Sequence, residues 1–167
     1  MSLREKDRGI SMAKPKKIAI LGKLETKYNA PFDDPYWEIW SMNKHWDEDL
    51  IPRVDVWFDI HKVPQKEDAD ILRDDFPFEE CHKLAGGNYF NNITSYLIAY
   101  AILQGAEDIA LYGMRFITDH DHRSLELDNV RQWIFFAKGR GINVTIPYDK
   151  EFLLPEMVIP EGGDYDQ

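Results

Sequence analysis

The sequence predicts an α/β domain built on a mainly parallel sheet of about five strands. Three observations predict it. Strand-like runs alternate with helical patterns, and parallel neighbours need such crossovers. The first run is apolar without polar alternation, as in a strand covered on both faces. A chain of 167 residues has the length of one domain and buries about two-thirds of its unfolded surface.

Residues 1–16 are polar and unpatterned, with a second methionine at Met12, and read as a flexible extension. The domain is expected over 17–154, beginning with KIAILG (17–22) as its first strand. Beyond a polar loop holding Asn29, Pro31 and Pro35, the runs WEIWSMN (37–43) and VDVWFDI (54–60) are rich in Trp, Val and Ile and read as strands. Their connections are short, one of them with room for only a single helical turn.

Pro64 and the acids of PQKEDADILRDDF (64–76) predict a surface helix stopped by Pro77. NNITSYLIAYAILQG (91–105) follows as a helix apolar on nearly every face, hence deeply buried, with Gly105 suited to its left-handed cap. DIALYG (108–113) is the next strand. Val130, Trp133, Ile134 and Ala137 then trace an i, i+3, i+4, i+7 stripe, and Gly139 and Gly141 end that helix. INVTIP (142–147) alternates before a proline, as an edge strand does. Residues 155–167 read as an acidic flexible tail.

Composition narrows the function. With 30 acidic against 20 basic side chains the net charge is −10, which argues against nucleic acid or anionic membrane as partner and leaves room only for a local anion site. Cys81 is the one cysteine, so no intramolecular disulfide forms and a reducing cytoplasm fits. No signal-peptide pattern is present, and no run reaches the ~18 apolar residues of a membrane span.

Open parallel sheets collect ligands beyond the carboxyl ends of their strands. That rule nominates Gly22, Asn43, His61, Gly113 and the group Asn91, Asn92, Thr94 and Ser95. Each has a plainer reading. A strand-ending glycine answers to a turn dihedral, Asn43 to a local backbone bond, and the Asn/Thr/Ser group to helix capping. Capping needs one polar side chain, however, and this helix start carries four. His45, His61 and His82 read as packed or exposed structural histidines. Neither GxGxxG nor GxxxxGK[ST] occurs, which argues against the standard dinucleotide and Walker sites.

TDHDH (118–122) offers His120 and His122 for proton transfer or metal binding, against the commoner outcome of a solvated loop. The two histidines lack an identifiable third and fourth ligand, so no metal is expected. No cofactor is predicted beyond a nucleotide as ligand. The competing readings are a nucleotide or nucleotide-sugar binding protein with transferase-like activity, a non-catalytic interaction or sequestering protein, and a metal hydrolase on His120, Asp121 and His122.

FNNITSYLIAYAILQGAEDIALYGMRF (90–116) resembles the F-N-x-x-I-T-S-G…A…G-x-x-x-I-x-L-x-G-I-D-F segment of bacterial sialyltransferases of the Campylobacter type, and in size the chain is similar to small phage-encoded Rossmann-like proteins. KKIAILG is similar to that family's first strand, WSMN to its strand ending in asparagine, and INVTIPYDKEFLL to its late strand and following turn. The resemblance implies a Rossmann-like three-layer domain in which Gly22, Asn43, Asn91, Thr94, Ser95 and Gly113 border a cytidine-nucleotide pocket. The family's catalytic histidine would fall near His120 or His122. This chain departs from the family in three ways: Gly22-Lys23-Leu24-Glu25 replaces a G-N-G-P-S turn, Arg115 replaces an acid, and the length is shorter.

Overall fold

A computed structural model describes residues 16–114 and 121–147, the side chains of 121–124 excepted. The acidic tail, the extension up to residue 15 and His120 lie outside the described residues. The architecture is a Rossmann-like α/β domain. Its sheet has six strands among the described residues, all parallel.

β1 (Lys17–Leu21), β2 (Trp37–Met42), β3 (Val56–Asp59), β5 (Asp108–Tyr112) and β6 (Asn143–Thr145) lie within the five runs the sequence marks as strands. The sixth, β4 (Ile71–Leu72), corrects the expected helix over 64–76. Its two residues pair with Phe58 and Asp59 of β3, and a 3-10 turn, Arg73–Asp75, follows. Asp59 accepts from the amides of Gln65 and Lys66, while Asp70 accepts from the amide of Trp57 at 2.6 Å and ties this segment to β3. A helix the sequence reading lacked, α1 (Phe78–Ala85), begins only after Pro77.

Side-chain alternation along the strands divides the core in two. Ile18, Ile20, Trp40, Met42 and Phe58 face the helices: α1, then α2 (Ile93–Leu103), which buries Leu97, Ile98, Ala101 and Ile102, then α3 (Asp121–Gly139), which buries the predicted stripe of Val130, Trp133, Ile134 and Ala137. Ala19, Leu21 and Ile39 face the other way, against Ala30 and Ile51. That second cover is thin. The connections from β1 to β2 and from β2 to β3 contain only 3-10 turns, Glu25–Asn29 and Glu48–Leu50.

The order β4-β3-β2-β1-β5-β6 reverses between β1 and β5. Strands grow outward from β1 to β4, and the chain then crosses through α1 and α2 to β5 on the other side. Such a reversal makes connections diverge at the carboxyl ends, which is where crevices form in this class. Among the described residues, no helix is long and apolar enough to cross a membrane.

Candidate functional site

Gly22 and Gly113 stand at the reversal point, at the carboxyl ends of β1 and β5. The Gly22 amide donates to the Tyr112 carbonyl at 2.7 Å, and the Leu24 amide to the Gly113 carbonyl at 2.9 Å. Thr26 accepts from the Gly113 amide through Oγ1 at 3.1 Å. The chain's own turn therefore fills the crevice between these strands. Gly113, at φ 66°, and Gly22 allow that close packing and lie behind the ligand-sized cleft rather than in its wall.

The cleft opens to one side, over the ends of β2 and β3, with a volume of about 820 Å³. Asn43, Asn91, Asn92 and Thr94 line it, as do Lys23, His61, Arg73 and His82. Asn43 leaves β2 in the left-handed conformation, φ 58°, which asparagine tolerates better than most residues. Its amide donates to the Phe58 carbonyl and its carbonyl accepts from the Trp57 indole, so the backbone is pinned at both ends. The side-chain Oδ1 is buried and has no hydrogen-bond partner among the described residues.

The polar residues at the start of α2 prove to do two things. Asn92 caps the helix, its Oδ1 accepting from the Ser95 amide at 2.9 Å. Asn91 and Asn92 also latch α2 to α3: Asn91 donates through Nδ2 to the Leu125 carbonyl and through its amide to Asn129 Oδ1, and Asn92 Nδ2 lies 3.3 Å from the Glu126 carbonyl. Ser95 is buried beneath them and receives Asn92 Nδ2 on Oγ at 3.0 Å. Thr94 is buried against Met42 and Met114. The surplus of polar groups is thus spent largely on docking two helices. The first-turn amides of Ile93 and Thr94, which have no intrahelical acceptor, face an end of the helix that favours negative charge.

Opposite that helix end stands His61, just past β3. Its Nδ1 lies 2.6 Å from Oδ1 of Asp59, a side chain with no solvent exposure. Burial alone would raise the Asp59 pKa, but hydrogen bonds from the Lys66 amide, the His61 ring and the amides of His61 and Gln65 outweigh it and hold the value below the usual carboxylate range. An aromatic wall of Phe78, Tyr96 and Phe90 completes the cleft, with Phe90 and Tyr96 stacked at 4.1 Å and His82 bonded to the Tyr96 hydroxyl at 3.0 Å. Arg73 spans from the Ile60 carbonyl, at 3.0 Å, to the face of Phe78. Among the described residues lining the cleft, Lys23 and Arg73 are cationic and only Glu126 is acidic.

On the thinly covered face lies a second polar group that the sequence reading did not single out. Lys27, buried in the first 3-10 turn, donates to Asp47 Oδ1 at 2.6 Å, His45 Nδ1 at 3.2 Å and the Lys23 carbonyl at 3.3 Å. Tyr28 donates to the other oxygen of Asp47, a bond that lifts the Tyr28 pKa to about 12. His45 Nε2 bonds the Met42 carbonyl at 3.0 Å. Burial, and then the Lys27 charge, hold the His45 pKa below its ordinary value. All three protons of Lys27 are used, and this group braces the turn that fills the sheet reversal.

His122 belongs to the first turn of α3, where only the backbone is described, and His120 lies outside the described residues. Among the described residues no group of three or more His, Cys, Asp or Glu is placed to hold a metal ion. Asp59, which holds the cleft residue His61, and Arg73 are site residues that sequence reasoning missed, and His82, expected to be structural only, also lines the cleft. The signal for the first was present in W-F-D-I-H, an acid two residues before a histidine at a strand end. No protein-family model matches the chain, and neither a curated protein nor a solved structure matches it.

Proposed function

We propose that the cleft binds a nucleotide or nucleotide-sugar. The observation that carries this reading is Asn43 Oδ1, a buried acceptor that has no partner among the described residues and belongs to the wall of a cleft. Leaving such a group unpaired costs about 1–3 kcal/mol, and a small rotation of the amide toward the cleft, where a ligand N–H or O–H donates to it, removes that cost. The charge distribution agrees: a chain of net charge −10 gathers Lys23, Arg73 and a helix N-terminus around one cleft, which suits phosphate. Phe78, Phe90 and Tyr96 supply an apolar wall against which a base can pack, Phe90 by its edge, since Tyr96 and Trp133 stack on its faces. By the resemblance to sialyltransferases the base is cytosine, and the lone, buried Cys81 fits a cytoplasmic setting.

Thermal unfolding with CMP, UMP, purine nucleotides and sugar conjugates tests the reading. A ligand at a hundredfold excess over its Kd adds about 2.7 kcal/mol of stability, a clear rise in Tm. No rise with any of them overturns it. A second reading, a protein-binding module, draws on Trp46, 85% exposed, and Val63, 82% exposed, in the loops after β2 and β3. It predicts capture of a protein partner with no response to nucleotides.

A further inference from the structure

We infer that the cleft is catalytic, with His61 taking the proton from a water molecule that attacks a phosphorus of the bound nucleotide and Asp59 positioning that histidine. The inference rests on the nucleotide reading of the cleft. It deepens that reading by naming the reacting bond.

Asp59 is held as few carboxylates are. Oδ1 accepts from the His61 ring at 2.6 Å and the His61 amide at 3.2 Å, and Oδ2 accepts from the Gln65 and Lys66 amides, each at 2.8 Å. Three backbone amides leave the group no freedom to turn. An ionised carboxylate is an acceptor only, so the neutral imidazole carries its proton on Nδ1 and its free lone pair on Nε2.

Contrast within the same molecule shows what this leaves over. His45, a structural histidine, engages both ring nitrogens, Nδ1 with Lys27 and Nε2 with the Met42 carbonyl, and is buried. His61 engages Nδ1 alone among the described residues, its side chain is 43% exposed, and it lines the cleft. A fixed imidazole with a free lone pair beside a cleft, oriented by a buried carboxylate, is the arrangement of a general base.

The step balances without a redox partner. The water oxygen forms a bond to phosphorus and its proton passes to His61 Nε2. The bond from phosphorus to the bridging oxygen, on the side opposite the water, breaks with its electron pair staying on that oxygen; the product leaves as a phosphate anion, and the imidazolium gives its proton to solvent. A nucleoside diphosphate sugar would yield a nucleoside monophosphate and a sugar phosphate, with one water consumed. Lys23, Arg73 and the first-turn amides of α2 line the same cleft and offset charge on the phosphoryl oxygens.

The test incubates the full chain with CDP, UDP, ADP and CMP- and UDP-linked sugars in water enriched in oxygen-18, and follows nucleoside monophosphate and the position of the label. Turnover with the label in a phosphate product is expected for at least one of these probes. His61→Ala should lower kcat by roughly 10²–10⁴-fold, far more than it weakens nucleotide affinity. Asp59→Asn should lower kcat as well, and nitrogen NMR should show the His61 proton moved from Nδ1 to Nε2, a change that a purely structural role would not produce. Should Asp59→Asn fail to fold, His61→Ala and His61→Gln decide the matter. Binding without turnover, undiminished turnover in both His61 variants, or label found in the sugar overturns this inference and leaves nucleotide binding standing. No binding by any probe overturns both.

Discussion

Gly22 and Gly113 are packed back to back where the sheet reverses: a Cβ on Gly22 would lie 2.3 Å from the Gly113 carbonyl oxygen, a backbone atom that cannot swing aside. Gly22→Ala should therefore destabilise by roughly 2–3 kcal/mol, the upper part of the range for single substitutions. Urea unfolding measures it, with a lower midpoint at unchanged slope. The effect on nucleotide binding should be only indirect, because neither glycine lines the cleft.

Lys27 and Asp47 form an ion pair with side chains 1% and 3% exposed. Lys27→Met removes one partner and strands the other charge in the interior, a loss of about 3 kcal/mol or more. Adding Asp47→Asn to that variant should recover part of the loss, since the uncompensated charge goes with it. Equilibrium unfolding of the two single variants and the double variant gives the coupling.

Acid should weaken the fold in two stages. His45 is held neutral, its folded pKa lying below the unfolded value of about 6.5, so the unfolded chain takes up the proton first and stability falls as pH drops below that value. Asp47 and Asp59 have folded values below the ordinary one of about 3.9, so the stability they contribute is complete above that pH and is lost as pH falls through their lower folded values. For Asp47, burial opposes the shift and the hydrogen bonds from Lys27 and Tyr28 prevail. His45→Gln should flatten the first stage and leave the second, as read by Tm across the pH range.

Asn43→Gly separates binding from folding. Glycine accepts the left-handed backbone at φ 58°, so stability should change little, while the partnerless acceptor disappears. Nucleotide affinity should fall about tenfold, the worth of one hydrogen bond made to a buried acceptor. Calorimetric titration of both proteins reads the difference.

Much of the sheet is legible in the sequence because β1, β2, β3 and β5 are apolar runs buried in a parallel sheet, and such strands announce themselves by composition. β4 is not, since two residues between Asp70 and Arg73 carry no period, and the bonds by which Asp59 and Asp70 tie this segment to β3 join residues that only the fold brings together. α1 had signals that pass unnoticed beside the stronger pattern upstream: Pro77, Glu79 and Glu80 at its start and Gly86 at φ 74° after it. At the site, position in the chain identified Asn43 and the α2 start. It could not show that Asn91 and Asn92 are engaged by α3, whose residues lie more than thirty positions away. The Lys27–Asp47 pair, twenty residues apart, is likewise a product of the fold.

An amide-detected NMR titration with CMP, UMP, AMP and a nucleotide-sugar tests the central claim most directly. Binding at the proposed cleft predicts shifts concentrated at Asn43, His61, Arg73 and the first turn of α2, with a saturating concentration dependence. Shifts confined to the opposite end of the sheet, or none with any of these ligands, would contradict it.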